Sequence, residues 1–206
     1  DQTWSLLPLR NELLAGAGHG LFRIRNHQVQ LLRDDNSVFL LKSNVFPGRI
    51  YIGLTDGLAS MIYKNGQWID EGRIDGINEY INNKIVETKS GNLWLGHYQG
   101  VIHINFSGKY STQPVITKYN KSNGLPDNVD NYVFQVSGRI YFATPKGIFR
   151  FEETRQRFLP DSTFGTAFSD GSRGVFNMTQ DANGKIWAYS QNKPGFFSLN
   201  KEGKYI

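Results

Sequence analysis

The sequence predicts an all-β fold, a β-propeller of four-stranded antiparallel blades, and three observations lead there. The first is a repeated order of turn, apolar strand, small residue and closing glycine. It is fullest in Ser90-Gly91-Asn92-Leu93-Trp94-Leu95-Gly96 followed by Gly100-Val101. It recurs in Leu13-Leu14-Ala15-Gly16 with Gly20, Ile50-Tyr51-Ile52-Gly53 with Gly57, Ile140-Tyr141-Phe142-Ala143 with Gly147, and Ile186-Trp187-Ala188 with Gly195. The closing glycines stand 37, 43, 47 and 48 residues apart, close to the period of a propeller blade. The second observation is that strands such as Leu93-Trp94-Leu95 are apolar without alternation. A sandwich strand with one wet face would alternate, whereas a sheet stacked between two neighbours must be apolar on both faces. The third is that no stretch sustains a helical period. A parallel β-helix, with shorter repeats and parallel pairing, fits these glycine hairpins poorly.

Blade by blade, the predicted boundaries are approximately 1–35, 36–76, 77–122, 123–167 and 168–206. The first blade runs through Trp4–Leu7, Leu13–Ala15, Leu21–Ile24 and Val29–Leu32, and Asp34-Asp35-Asn36 ends it. The second uses Val38–Leu41, Ile50–Ile52, Leu58–Tyr63 and Gln67–Ile69, with the hairpin signal Asn65-Gly66 between the last two. The third opens at Asn83–Thr88, passes through the Trp94 motif and closes at Pro114–Tyr119. The fourth contains Tyr132–Val136, the Tyr141 strand, Phe149–Phe151 and Arg157–Leu159. The fifth begins at Gly174–Met178, turns at Asp181-Ala182-Asn183-Gly184, and ends in a shortened strand, Gly203–Ile206. The small residues Gly16, Gly53, Gly96 and Ala143 are expected where sheets converge. Trp94, Tyr51, Tyr141 and Trp187 are expected in the core.

Composition narrows the function. Lys and Arg exceed Asp and Glu by 23 to 18 in 206 residues, but the excess is scattered and forms no basic helix, so nucleic acid is not the expected partner. With no cysteine, disulfides and thiolate metal sites are excluded. No apolar run is long enough to span a bilayer. The chain opens at Asp1 and stops at Ile206 within a strand pattern, so it reads as a segment of a longer protein.

The Ser90–Gly96 motif with Gly100-Val101 resembles the two-component regulator propeller repeat, and Asn123-Gly124-Leu125-Pro126-Asp127-Asn128 resembles that family's connector between blades. The resemblance covers nearly the whole chain. It implies the sensory ectodomain of a hybrid histidine kinase of the kind common in Bacteroidetes. In that family the ectodomain is periplasmic, dimeric and responsive to oligosaccharides, and its propellers carry seven blades. Five repeats fall short of seven, so the ring is completed elsewhere or this member is smaller. The resemblance also implies that the rest of the ectodomain and a second copy are partners; no cofactor and no membrane contact by this segment are expected.

A search for catalytic chemistry yields little. Gly-x-Ser-x-Gly, Walker and His-Glu-x-x-His patterns are absent. Asp34-Asp35-Asn36 and Asp181–Gly184 resemble calcium loops in outline, but both sit where a blade needs a turn and neither carries the later acidic ligand. His19 and His97 are read as occupying the same hairpin turn of two blades, and His103 as the polar face of a strand. The chain is therefore read as non-enzymatic and without a metal.

Binding is the preferred reading. In propellers the hairpins between second and third strands share one rim with the connectors. That rim would collect His19, Thr55, Asp56, His97, Tyr98, Gln99, Asp127, Asn128 and Lys146 as ligand-binding residues, with ordinary turn or capping duty as the competing role for each. Tyr98 offers flat apolar surface, and Gln99, Asp127 and Asn128 offer planar polar groups for sugar hydroxyls. Two rivals remain. One is a propeller lyase of the streptogramin-lyase type, whose repeats also read Gly-x-Ile-Trp and whose histidine site would fall to His19 and His97. The other is a purely structural scaffold.

Overall fold

The computed structural model describes residues 2–81, 84–106, 114–127 and 130–206. It is a β-propeller of five antiparallel sheets joined mainly by tight turns. The first sheet has the order β1 (Thr3–Leu9), β2 (Glu12–Ala17), β3 (Gly20–Arg25), β4 (Gln28–Arg33). The second follows the same meander through β5 (Ser37–Lys42), β6 (Arg49–Leu54), β7 (Gly57–Lys64) and β8 (Gln67–Arg73). The third comprises β9 (Ile85–Glu87), β10 (Leu93–His97), β11 (Gly100–Asn105) and β12 (Val115–Tyr119). The fourth holds β13 (Tyr132–Val136), β14 (Arg139–Thr144), β15 (Gly147–Glu152) and β16 (Arg157–Pro160). The fifth holds three strands, β17 (Asn177–Gln180), β18 (Ile186–Ser190) and β19 (Lys193–Phe197), with an isolated Leu199–Tyr205 bridge where a fourth would lie.

The chain divides into two compact units, Asp1–Trp94 with Ile104–Ile116, and Leu95–His103 with Thr117–Ile206. In the first, Leu14, Leu21, Leu40, Ile50, Ile52, Leu54, Ala59 and Met61 form one core between sheets. The repeated small residue follows from this stacking. A Cβ on Gly16 would come within 2.8 Å of the Ser37 carbonyl oxygen, at the start of the next sheet. The closing glycine is needed for two reasons, its backbone angle and the space around it. Gly20 has φ +136°, and a Cβ there would lie 2.2 Å from the Arg33 carbonyl oxygen. A buried carboxylate also ties this unit together. Glu87 on β9 accepts hydrogen bonds from Ser43 Oγ at 2.5 Å and from the Asn44 backbone N–H at 2.6 Å, fixing the loop after β5.

The second unit has its own core, in which Phe134, Tyr141, Phe164, Phe168, Ile186 and Phe197 pack together. The connector motif has a physical reason here. Gly124 takes φ +94°, and a Cβ on it would meet the Phe158 carbonyl oxygen at 2.4 Å, while Leu125 is buried.

Two expectations fail in the fifth sheet. Gly195 is not a closing glycine. It lies within β19 opposite Ala188, and the hairpin turns at Gln191-Asn192, both of which adopt positive φ. Trp187 is not core but 45% exposed, because it faces away from Ile186 and Ala188, which enter the core. Its indole N–H donates to Asp181 Oδ2 at 3.1 Å, while Asp181 Oδ1 caps the backbone N–H groups of Asn183 and Lys185. Asp181–Gly184 is thus a turn, as its place in the blade required. Trp94, Tyr51 and Tyr141 are buried as expected.

Candidate functional site

In a β1-β2-β3-β4 meander the β2–β3 turn lies at one end of the sheet, and the β1–β2 and β3–β4 turns lie at the other. Of the predicted rim residues, His19, Thr55, Asp56, Tyr98, Gln99 and Lys146 fall in turns of the first kind. In the first unit His19 is exposed in the Gly18-His19 turn, and Thr55 and Asp56 form the β6–β7 turn. Asp56 is engaged, since both terminal nitrogens of Arg73 donate to its carboxylate, at 2.8 and 3.1 Å. Arg33 clamps Asp35 with donors at 2.9 and 2.6 Å and also reaches Asp70. Burial pushes the Asp35 carboxyl up, but the Arg33 hydrogen bonds and the charges of Arg33 and Arg73 outweigh it and hold the group below its ordinary value.

In the second unit Tyr98 is 54% exposed and Gln99 is exposed beside it, together forming the β10–β11 turn. His97 differs from expectation. It is the last residue of β10 and is buried, its Nδ1 accepting the Gln99 backbone N–H at 3.3 Å. Counting back from the closing glycines, His97 is the equivalent of Ala17 and His19 that of Gln99, so the two histidines do not occupy the same turn position. Lys146 is exposed in a turn whose backbone N–H donates to the buried Thr144 hydroxyl at 3.1 Å. Asp127 is partly buried, its carbonyl accepting from Asn131 Nδ2 at 3.5 Å. Asn128 lies outside the described residues. His103, half-buried on β11, is driven below its ordinary value by burial, against an opposing pull from Glu153. Among the described residues no three His, Cys, Asp or Glu side chains cluster as a metal site would require.

Sequence reasoning missed a cleft of about 310 Å³ at the other end of the first two sheets. Leu9, Arg10 and Asn11 supply it from the β1–β2 turn, Arg25 from the end of β3, Lys42 and Gly48 from either side of the β5–β6 loop, and Tyr63 and Trp68 from the β7–β8 hairpin. The hairpin turns at Asn65-Gly66, both at positive φ, and this sets Tyr63 directly opposite Trp68. Their ring centroids are 5.3 Å apart at 60°. The indole is aimed by Glu12, whose Oε1 accepts the Trp68 N–H at 2.8 Å and whose Oε2 accepts from Arg23 Nε at 2.6 Å. Arg49 is likewise committed, donating to both Glu71 oxygens at 2.7 Å over the Phe46 ring.

No known family's sequence profile matches the chain, and no curated protein matches it. Solved structures do. The extracellular domain assigned to a hybrid two-component system of B. thetaiotaomicron matches with a TM-score of 0.59 and 15% identity, over 97% of this chain and 32% of that one. Virginiamycin B lyase from Staphylococcus aureus matches with a TM-score of 0.64 and 14% identity, over 99% of this chain and 68% of that one. PorZ, a surface component of the type-IX secretion system of Porphyromonas gingivalis, matches with a TM-score of 0.65 and 14% identity, over 100% of this chain and 33% of that one. The chain thus spans about a third of the sensor domain's length. At these identities the likeness is one of fold.

Proposed function

We propose that this chain is a ligand-sensing propeller of an extracytoplasmic two-component sensor, responding to an oligosaccharide and performing no chemistry of its own. The observation that carries the reading is the fold shared with the two-component extracellular domain over 97% of this chain, joined to sequence motifs that resemble the regulator repeat. In this reading the protein is periplasmic, the rest of the ectodomain and a second copy are its partners, and no cofactor is required. Tyr98, Gln99 and Lys146 stand exposed at hairpin turns, where a polar ligand can be met without unfolding any strand. A stiff stacked-sheet core suits transmission by rigid-body rearrangement.

The lyase reading draws on the fold it shares with virginiamycin B lyase. Its histidine pair is poorly placed, because His97 is buried and His19 occupies a different turn position. A thermal-shift screen of the intact chain against a broad oligosaccharide panel tests the sensor reading. A ligand present at ~100 times its Kd adds about 2.7 kcal/mol. At ~2–4 °C per kcal/mol for a chain of this size, that gives a shift of several degrees. A uniformly flat panel would refute saccharide sensing by these blades.

A further inference from the structure

The cleft beside Tyr63 and Trp68 has a feature that no fold argument explains. Five charged side chains line it, and two are already matched within the protein: Glu12 by Arg23 and Trp68, Arg49 by Glu71. The other three, Arg10, Arg25 and Lys42, are all cationic and exposed, and among the described residues no ion pair or side-chain hydrogen bond occupies them. Three unmatched cations converging on one concavity repel one another, and an anion entering it would relieve that repulsion. Their chemistry suits a carboxylate or sulfate, which guanidinium groups can grip through paired N–H donors. Beside Leu9, Asn11, Gly48 and Ile50, the cleft has one aromatic side, made by Tyr63 and Trp68. Tyr63 is 38% exposed, and Trp68 is held at a fixed angle by its hydrogen bond to Glu12. Such a surface suits the apolar face of a sugar ring, and a volume of about 310 Å³ leaves room for the end of a chain rather than its length.

We infer that this cleft binds the acidic end of a saccharide, the sugar ring lying against Tyr63 and Trp68 and its carboxylate or sulfate held by Arg10, Arg25 and Lys42. The inference rests on the saccharide-sensing reading and places the recognition of charge at the end of the first two sheets opposite the Gly18-His19 and Thr55-Asp56 turns.

The test is calorimetric titration of the intact chain with digalacturonate, with N-acetylglucosamine 6-sulfate, with neutral cellobiose and with inorganic sulfate. At least one acidic sugar should bind ten-fold or more tightly than cellobiose, and weaken as salt is raised. The double variant R25E/K42E and the variant Y63A should each lose at least ten-fold of that affinity. Both change exposed side chains, so an unaltered melting temperature certifies that they fold. Carboxylate and sulfate sources are separated by which acidic sugar binds. Sulfate binding as tightly as either sugar would overturn the saccharide assignment, and R25E/K42E retaining full affinity would overturn the site. If neutral saccharides bind and acidic ones gain nothing, the cleft assignment falls while saccharide sensing stands. If no saccharide in this set or in the wider panel binds, both fall.

Discussion

Removing one oxygen from the core should make this protein more stable. Tyr51, on β6, is 1% exposed, and its ring lies 6.2 Å from that of Phe106 at an interplanar angle of 30°. Its hydroxyl is buried with no hydrogen-bond partner. Arg49 lies beside it and favours the ionised phenol, but its Nε and Nη2 are spent on Glu71, and no well-formed hydrogen bond reaches the phenol oxygen. An orphaned buried polar group costs about 1–3 kcal/mol, so Tyr51→Phe should gain about 1 kcal/mol, or ~2–4 °C in Tm, while keeping the ring in place. A second arm uses pH. Burial raises the Tyr51 phenol from 10.0 to about 12. Below pH 10 the group is neutral in both the folded and unfolded chain and its ionisation contributes nothing. Between 10 and 12 the unfolded chain releases a proton that the folded chain retains, so stability falls as pH rises. At pH 11 the wild type should therefore lose up to about 1.4 kcal/mol more than Tyr51→Phe. Urea unfolding of both proteins at pH 7 and pH 11 measures both effects. A variant less stable than wild type by 1 kcal/mol or more at pH 7, or an unchanged gap at pH 11, would show that the Tyr51 hydroxyl is not an orphaned, pKa-raised group.

Three further outcomes follow from the structure. Glu87→Ala leaves the Ser43 hydroxyl and the Asn44 N–H without their buried acceptor, and should cost about 2–4 kcal/mol in urea unfolding. Gly147→Ala forces a side chain onto φ +114°, with its Cβ 2.3 Å from the Phe168 carbonyl oxygen, and should lower stability by at least about 2 kcal/mol. Asp35 has its folded pKa held below the unfolded 3.8, so its contribution is complete above that value and disappears as pH falls through the folded pKa. Asp35→Asn should therefore cost about 1 kcal/mol at pH 7 and show a shallower loss of stability on acidification below pH 4, read from melting curves across that range.

The blades were legible because backbone geometry writes itself into sequence. A position such as Gly20 tolerates no side chain, and a strand covered on both faces, such as Leu93-Trp94-Leu95, cannot alternate. The fifth blade misled for the same reason. Gly195 occupies the expected place in sequence, but Gln191-Asn192 takes the turn, and a two-residue hairpin at Asn can substitute for one at Gly. Trp187 has the same neighbours in sequence as a core residue, and its exposure depends on what covers that face of the sheet, which local sequence does not encode. His97 was misread by a shift of position. Aligning on Gly100 rather than on the histidine itself would have placed it at the end of β10. The cleft was not legible because Arg10, Arg25 and Lys42 read as scattered surface charge. Only the turns of two neighbouring sheets bring them together, although each of them does fall at a strand end beside a turn of the same rim.

In the function proposed above, the protein recognises a saccharide without turning it over. Equilibrium dialysis of a mixed oligosaccharide pool against the intact chain, with mass spectrometry of the bound and free sugars, tests it most directly. One class of glycan, enriched in acidic members, should concentrate on the protein side with its masses unchanged. An even distribution of all glycans, or masses that report cleavage or elimination, would contradict it.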